Sequence, residues 1–132
     1  MKPATASAPV SNLGWSVLMD MHVGRRERQE DAVGVWENWK EGTLFAVVAD
    51  GAGGHGGGAE ASSAAVAEAG KCWEIWPAQE NSADFLANWL ARAHEAVNRS
   101  VRQRHLDART VAVALLVQRS RAEWVHAGDC RL

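Results

Sequence analysis

Residues 44–60, LFAVVADGAGGHGGGAE, decide the fold that this sequence predicts. The run from Leu44 to Ala49 is wholly apolar and stops at Asp50-Gly51, which is typical of a buried strand. Seven of the eight residues after Asp50 are glycine or alanine, and an alanine-rich helical pattern follows them. Glycines allow the backbone to approach a ligand closely. We therefore interpret the segment as a site with Asp50 at the strand exit, because a flexible linker would lack the flanking strand and helix.

Bulk composition indicates one soluble globular domain. The chain has 132 residues, of which 47% are hydrophobic and 23% charged, as in ordinary globular proteins. A net charge of −2 provides no general attraction to nucleic acid or to an anionic membrane, so we expect neither as a partner. Cys72 and Cys130 form no CxxC pair, which favours reduced thiols and a cytoplasmic location.

The other elements follow from hydrophobic periodicity. Alternating apolar residues predict a strand over residues 15–23. The apolar run at residues 33–36 can pair with that strand or with residues 44–49. Helical spacing after the glycine loop predicts a helix that Pro77 ends, and a second helix with a core-facing apolar stripe begins near residues 81–82.

The last predicted element is a β-hairpin made of residues 111–117 and 123–127. The chain stops soon after it, at Leu132, so we expect a truncated domain. Residues 1–12 lack the apolar segment of a signal peptide and are predicted to form a disordered leader. The domain itself is then predicted to span residues 13–132.

Carboxylates lie at three predicted strand ends beside glycines or tight turns: Glu30-Asp31, Asp50 and Asp129. Their similar settings suggest that they converge. Two carboxylates about 5 Å apart repel each other by about 3 kcal/mol at an effective dielectric constant of 20, so the cluster needs protons or cations. Hard oxygen ligands without a matching set of Cys or His residues favour Mg²⁺ or Mn²⁺ over Zn²⁺. The Gly51 carbonyl could add another oxygen.

Arginines lie close to the first carboxylates along the chain. Arg25, Arg26 and Arg28 offer guanidinium groups, which bind phosphate in a bidentate manner. No Ser or Cys is placed as a nucleophile at a helix start. Divalent cations with an arginine then indicate hydrolysis by a metal-activated water.

Three stretches of the chain resemble the metal-dependent protein serine/threonine phosphatases of the type 2C class, the PPM family. They are RERQEDA at residues 26–32, FAVVADGAGGHGGG at residues 45–58 and VHAGDCRL at residues 125–132. The resemblance covers nearly everything after the leader, but only about the N-terminal half of the family's domain. It implies an α+β fold, an α-β-β-α sandwich with two metal ions at one end. Here the sandwich would be truncated to strands, two helices and a hairpin.

The resemblance also implies a set of metal ligands. Asp50 would bridge two Mg²⁺ or Mn²⁺ ions, and Gly51 would supply its carbonyl oxygen. Glu30 and Asp31 would hold metal-bound waters or orient the site. Asp129 would match a ligand for a further, weaker metal ion.

The same resemblance implies the reaction. Arg26 would bind the substrate phosphate, and Asp50 would act in catalysis through the metal ions. A hydroxide bridging two ions about 3.5–4 Å apart would attack phosphoserine or phosphothreonine of a protein substrate in line.

The sequence departs from the family pattern in several places. Ala108-Arg109-Thr110 stands where Gly-Thr-Thr is frequent, Ala52 where eukaryotic members have His, and Cys130 where Ser is usual. His55 lies in the loop as in bacterial members, without an assigned role. The two aspartates that the family supplies from its C-terminal half are absent, so we expect the chain alone to be inactive and to self-associate.

Three alternatives stay open at the level of the sequence. The altered motif and the missing half fit a non-catalytic pseudophosphatase or regulatory interaction module. Residues 51–56 satisfy the G-x-G-x-x-G pattern of a dinucleotide-binding turn, although the following acidic strand is missing. A cysteine phosphatase built on Cys130 would lack the arginine that such a loop needs.

Overall fold

A computed structural model of the chain describes residues 6–7, 16–76 and 81–132. Four strands in these ranges form one antiparallel sheet: β3 (Asp31–Asn38), β4 (Thr43–Gly53), β5 (Ala108–Gln118) and β6 (Arg121–Ala127), which are neighbours in that order. Between β4 and β5 the chain forms a 3-10 turn (Gly54–Gly56) and two helices, α1 (Gly57–Ile75) and α2 (Ser82–Gln103). A separate two-stranded ladder pairs β1 (Ala6–Ser7) with β2 (Leu18–Met19).

Both helices pack on one face of the four-stranded sheet. Phe45, Val47 and Ala49 alternate along β4, have no exposed surface and point toward the helices, as the period-2 pattern of a strand requires. Their cross-strand partners on β5 are Leu116, Ala114 and Ala112, which are also buried. The core therefore lies between the sheet and the helix layer.

The helices meet this core with different side chains. On α1, small residues permit a close approach to the sheet, and Ala61, Ala65 and Ala69 are fully buried or nearly so. On α2, the Trp89 ring is fully buried, and its Nε1 donates a 3.3 Å hydrogen bond to the Ala65 carbonyl. Phe85 packs edge-on against the β4 aromatic ring at 4.9 Å. The predicted core stripe of the second helix is thus confirmed.

The start of α2 was also predicted correctly. The Asn81 side chain accepts hydrogen bonds from the backbone N–H groups of Ala83 at 2.8 Å and Asp84 at 3.4 Å. This is the usual N-cap arrangement, which satisfies donors that the helix itself cannot pair. Pro77, which was expected to end the first helix, lies outside the described residues, and α1 ends at Ile75.

The opposite face of the sheet is apolar and carries no helix among the described elements. Val48, which is 46% exposed, and Trp124, which is 60% exposed, lie on this outer face. They belong to the pairs Val48–Val113 and Trp124–Leu115, and Val48 alternates along β4 with the buried Val47 and Ala49. Neither α1 nor α2, the helices of the described ranges, combines the length and the apolarity needed to cross a membrane.

Two sequence predictions about strands were wrong. The strand expected over residues 15–23 is reduced to Leu18–Met19 within the described part, which begins at Ser16. The central strand does not end at Asp50 but continues to Gly53, because its pairing with β5 persists as far as Gly53–Ala108. Asp50 therefore lies inside β4. Of the two pairings left open for residues 33–36, the structure has the one with β4.

The element order confirms the predicted α+β arrangement of strands, two helices and a final hairpin. The sheet is antiparallel throughout, so the dinucleotide-binding alternative, which requires a parallel strand after the first helix, is wrong. The predicted disordered leader, residues 1–12, lies outside the described residues except for the two that form β1.

Candidate active site

The candidate site lies at the end of the sheet where β3 begins and β4 nears its end. Asp31 and Asp50 are direct cross-strand partners, so their side chains project from the same face. The two carboxyl groups are hydrogen-bonded to each other. Two of the four predicted acidic residues are therefore brought together by strand register alone.

The environment of Asp31 raises the pKa of its carboxyl group above the ordinary value. Partial burial is the main cause, followed by the charge of Asp50 and the hydrogen bond to it. The guanidinium of Arg26 acts in the opposite direction and lowers this pKa. A pair of carboxylates in this arrangement shares a proton or a cation.

The backbone of Glu30 ties the two strands to α1. Its carbonyl oxygen accepts a 3.0 Å hydrogen bond from the Gly51 N–H and a 2.6 Å hydrogen bond from the Ser62 hydroxyl. Ser62 has no exposed surface, and its hydroxyl also lies 3.2 Å from the Ala59 carbonyl. Hydrogen bonds from β4 and from α1 thus fix the position of the Glu30 carbonyl.

Glycines make this junction possible. A Cβ atom at Gly51 would overlap the carbonyl of Gly58 and lie 2.6 Å from the Glu30 carbonyl oxygen. A Cβ atom at Gly58 would lie 2.8 Å from the Glu30 carboxyl group. These separations are shorter than van der Waals contact, so the two glycines permit the close approach of three backbone segments.

A cavity of about 170 Å³ lies over the paired aspartates. Its lining includes His22, Arg26, Arg28, Glu30, Asp31 and Asp50. The structure therefore brings four of the predicted site residues, one arginine and three acids, to a single cavity. Gly51 lies directly after Asp50 on β4, and its backbone is buried.

Asp129 does not line this cavity. It follows β6 at the same end of the sheet and is exposed. Its neighbour Cys130 is half-buried and interacts with the backbone of Asp50. Burial, and then the charge of Asp50, raise the pKa of the Cys130 thiol, which disfavours the nucleophilic thiolate and argues against the cysteine phosphatase alternative. No disulfide joins the two cysteines.

The donor atoms of the site suit a hard divalent cation. Asp31 and Asp50 present neighbouring carboxyl oxygens in a cavity that Glu30 also lines, and oxygen ligands are those that Mg²⁺ and Mn²⁺ prefer. Across the described residues, however, no group of three or more His, Cys, Asp or Glu side chains is arranged to hold a metal ion. The donor set is thus chemically suitable for a divalent cation but contains few ligands.

Sequence reasoning missed three residues that support the site. Ser62 is hydrogen-bonded to Glu30, and His22 lines the cavity while its Nδ1 accepts a 2.8 Å hydrogen bond from the Gly24 N–H. The Thr110 hydroxyl donates a 2.9 Å hydrogen bond to the Asp50 carbonyl. The sequence signalled only Thr110, as part of an altered motif, and gave no sign of the other two.

The sequence profile of the protein phosphatase 2C family matches residues 20–131. The chain belongs to this family. No curated protein sequence matches it significantly. Two bacterial phosphatases are among the solved structures that share its fold. The serine/threonine phosphatase PstP/Ppp of Mycobacterium tuberculosis is 21% identical with a TM-score of 0.65, and the match covers 97% of this chain and 47% of that one.

The second is the serine/threonine phosphatase of S. agalactiae, which is 22% identical with a TM-score of 0.62. The match covers 97% of this chain and 48% of that one. This type 2C chain thus spans about half the length of the solved structures that it matches. The resemblance inferred from three short motifs is confirmed at the level of family and fold.

Proposed function

We propose that this chain contributes to the hydrolysis of phosphoserine and phosphothreonine in proteins, with Mg²⁺ or Mn²⁺ as cofactor. The single observation that supports the proposal most is the cross-strand pair of Asp31 and Asp50 beside Arg26 in one cavity. Family membership supports it at a coarser level, because type 2C phosphatases are generally metal-dependent.

Each group has a chemical role in this proposal. Asp50 and Asp31 would hold the cation, with Glu30 beside them and the Gly51 carbonyl as a further oxygen. Asp129 would take part only in a weaker, additional site. A bound divalent cation would supply charge neutralisation at the phosphoryl group and would activate water.

Arg26 would bind two phosphoryl oxygens through its planar guanidinium and would orient the phosphorus atom. Arg26 is exposed and lines the cavity of the aspartates, so a phosphate could reach it without rearrangement of the core. The protein's contribution is therefore to position the phosphoryl group against the carboxylate pair.

The test is Mn²⁺ binding measured by calorimetry on Asp50→Asn and a matched control. Asp84→Asn is the control, because it removes another exposed carboxylate, at the start of α2 and away from the cavity. We expect Asp50→Asn to abolish Mn²⁺ binding and Asp84→Asn to leave it unchanged, with the same circular dichroism for both. Equal Mn²⁺ affinity in the two variants would refute the assignment.

A non-catalytic interaction module is the second candidate function. It is favoured by one observation, that the described residues hold no cluster of three or more metal-ligating side chains. Mn²⁺ titration of the unmodified chain separates the two candidates. A module without chemistry at the site need not bind Mn²⁺, whereas the proposed phosphatase does.

A further inference from the structure

A second cavity adjoins the one over the aspartates and is lined by basic side chains. Its volume is about 560 Å³, and its lining includes Arg25, Arg26, Arg28, His55, Glu27 and Glu30. Arg26, Arg28 and Glu30 line both cavities. A ligand bound at the aspartates therefore has direct access to the second cavity, which we name the basic cleft.

Arg28 is held against the glycine loop. A Cβ atom at Gly56 would lie 2.9 Å from Arg28 Nη1, so a side chain at this position would push the guanidinium away. Gly56 also has φ of +81°, a left-handed conformation that glycine adopts without strain. His55, beside it, has φ of +57°, which is uncommon for a residue with a side chain. The absence of a side chain at Gly56 thus leaves space for the Arg28 guanidinium at the edge of the basic cleft.

The arginines of the basic cleft are not neutralised by ion pairs. Within the described ranges, none of Arg25, Arg26 and Arg28 lies within 4 Å of a carboxylate oxygen, whereas Arg92, Arg104 and Arg121 each do. Glu27 and Glu30 also line the cleft, so its positive charge is partly offset. Three guanidinium groups exceed the two carboxylates of the cleft itself. The cation of the proposed function would neutralise Asp31 and Asp50 in the adjoining cavity, so the guanidinium groups remain available to an incoming anion.

We propose that Arg25 and Arg28 bind a second oxyanion of the substrate, next to the phosphoryl group that Arg26 binds. The preferred substrates would then be segments in which the phosphorylated residue has acidic or phosphorylated neighbours. This inference rests on the proposed function, since it presupposes that a phosphoserine or phosphothreonine occupies the cavity of the aspartates. In the proposed function the phosphoryl group faces Arg26 and the cation at the aspartates, so the guanidinium groups of Arg25 and Arg28 are left for a second anion.

Phosphopeptide binding by fluorescence anisotropy tests the proposal on the whole 132-residue chain with Mn²⁺ present. Three peptides share one central phosphoserine. Two residues away on each side, about 7 Å along an extended chain, they carry alanine, glutamate or phosphoserine. The glutamate and phosphoserine peptides distinguish a carboxylate from a phosphate as the second oxyanion.

The variant Arg25→Gln/Arg28→Gln removes two positive charges from the basic cleft. The matched control is Lys40→Gln/Arg119→Gln, which removes two exposed positive charges from the turns at the other end of the sheet. The variant and the control have the same net charge. A general electrostatic effect on an anionic peptide would therefore be equal in both.

We expect the unmodified chain to bind at least one of the two acidic peptides roughly three- to tenfold more tightly than the alanine peptide. This ratio should fall to about one in Arg25→Gln/Arg28→Gln and persist in the control. It should also decrease with added salt, because exposed charges are screened.

Equal ratios in the variant and the control, or a ratio of one in the unmodified chain, would overturn the inference. If the alanine phosphopeptide still binds in those cases, the proposed function stands and only the second-anion site is wrong. If no phosphopeptide and no Mn²⁺ bind, the proposed function fails together with this inference.

Discussion

Gly51 lies where three backbone segments meet. Its N–H donates to the Glu30 carbonyl, and a side chain there would overlap the carbonyl of Gly58 at the start of α1. The neighbouring Asp50 gains its position from this junction, because β3, β4 and α1 can approach one another only if no Cβ intervenes. The absence of a side chain at Gly51 thus permits α1 to approach the two strands that carry the carboxylate pair.

Gly51→Ala is expected to destabilise the fold and to weaken Mn²⁺ binding. Overpacking in a core typically costs about 1–3 kcal/mol, and here the obstructing atoms are backbone, which cannot rotate away. Gly54→Ala is the matched control, because nothing lies within 4 Å of its Cβ position. Thermal denaturation should give a melting temperature several degrees lower for Gly51→Ala alone. Equal melting temperatures would contradict this account of the junction.

Arg26→Ala should weaken phosphopeptide binding without destabilising the protein. The Arg26 side chain is exposed, and the turn that carries it is held by a backbone hydrogen bond of 3.2 Å from Arg26 N to the Val23 carbonyl. Loss of a charge-assisted bidentate contact corresponds to roughly a tenfold weaker affinity. Anisotropy with a phosphoserine peptide measures the affinity, and calorimetry measures the melting temperature. A large drop in melting temperature with unchanged affinity would identify Arg26 as structural.

At the scale of single residues, the sequence indicated which charged residues lie close together, and their roles stay predictions. Carboxylates at predicted strand ends with an arginine nearby along the chain suggested a shared site for Asp31, Asp50 and Arg26, and the structure places all three around one cavity. Ser62 could not, because it lies 32 residues from its acceptor Glu30 and in an alanine-rich helix where serine fits without any special role. Hydrogen bonds between distant segments depend on the tertiary fold, which local pattern does not encode.

At the scale of the elements, α1 and α2 are linked by an ion pair at the edge of the core. Arg92 on α2 contacts Glu68 on α1 at 2.7 Å through both Nε and Nη2, and Lys71 lies 3.4 Å from the same carboxylate. Burial raises the pKa of Glu68, but the hydrogen bonds from the two cations outweigh it. The net result is a Glu68 pKa below the ordinary value of 4.5.

Glu68→Gln is therefore expected to destabilise the protein at neutral pH. A folded-state pKa below the unfolded value means that ionised Glu68 stabilises the fold above about pH 4.5, and that this contribution is lost as pH falls through the folded pKa. We expect Glu68→Gln to lower the free energy of unfolding by about 1–2 kcal/mol at pH 7. This loss is small for a buried charge, because Arg92 keeps some contact with water.

The measurement is urea denaturation of Glu68→Gln and of the control Glu74→Gln, an exposed position on the same helix, at several pH values. The difference in the free energy of unfolding between Glu68→Gln and the unmodified chain should become smaller below pH 4.5. A difference independent of pH, or equally large in Glu74→Gln, would show that the ion pair does not stabilise the fold.

Hydrophobic periodicity predicted some helices and strands better than others. The helices and the hairpin followed from patterns long enough to be unambiguous, and Asn81 marked a helix start. Residues 15–23 alternate like a strand, but in the described part only two of them find a partner, because β3 pairs with β4 instead. The extension of β4 to Gly53 was missed because its last four residues, Asp50 to Gly53, all have low strand propensity. Pairing with β5 overrides that propensity.

At the scale of the whole molecule, the two faces of the sheet differ. The inner face packs on α1 and α2, whereas the outer face leaves Val48 and Trp124 in contact with solvent. The solved structures of the family that share this fold are about twice as long as this chain. We expect the exposed outer face to be covered in solution, because contiguous apolar surface of this kind promotes association.

The final prediction is that the isolated 132-residue chain self-associates and turns over phosphate esters poorly. Association follows from the outer face, so Val48→Glu/Trp124→Glu should shift the mass measured by light scattering toward the monomer. Ile75→Glu, at a similarly exposed apolar position at the end of α1, should leave the mass unchanged.

Poor turnover follows from the donor set, because the paired aspartates with Glu30 supply few ligands for two cations that keep several waters. Turnover of p-nitrophenyl phosphate with Mn²⁺, measured on the same samples, checks this half. Robust turnover by a monodisperse monomer would refute both halves, since it would mean that neither a covered outer face nor further ligands are needed.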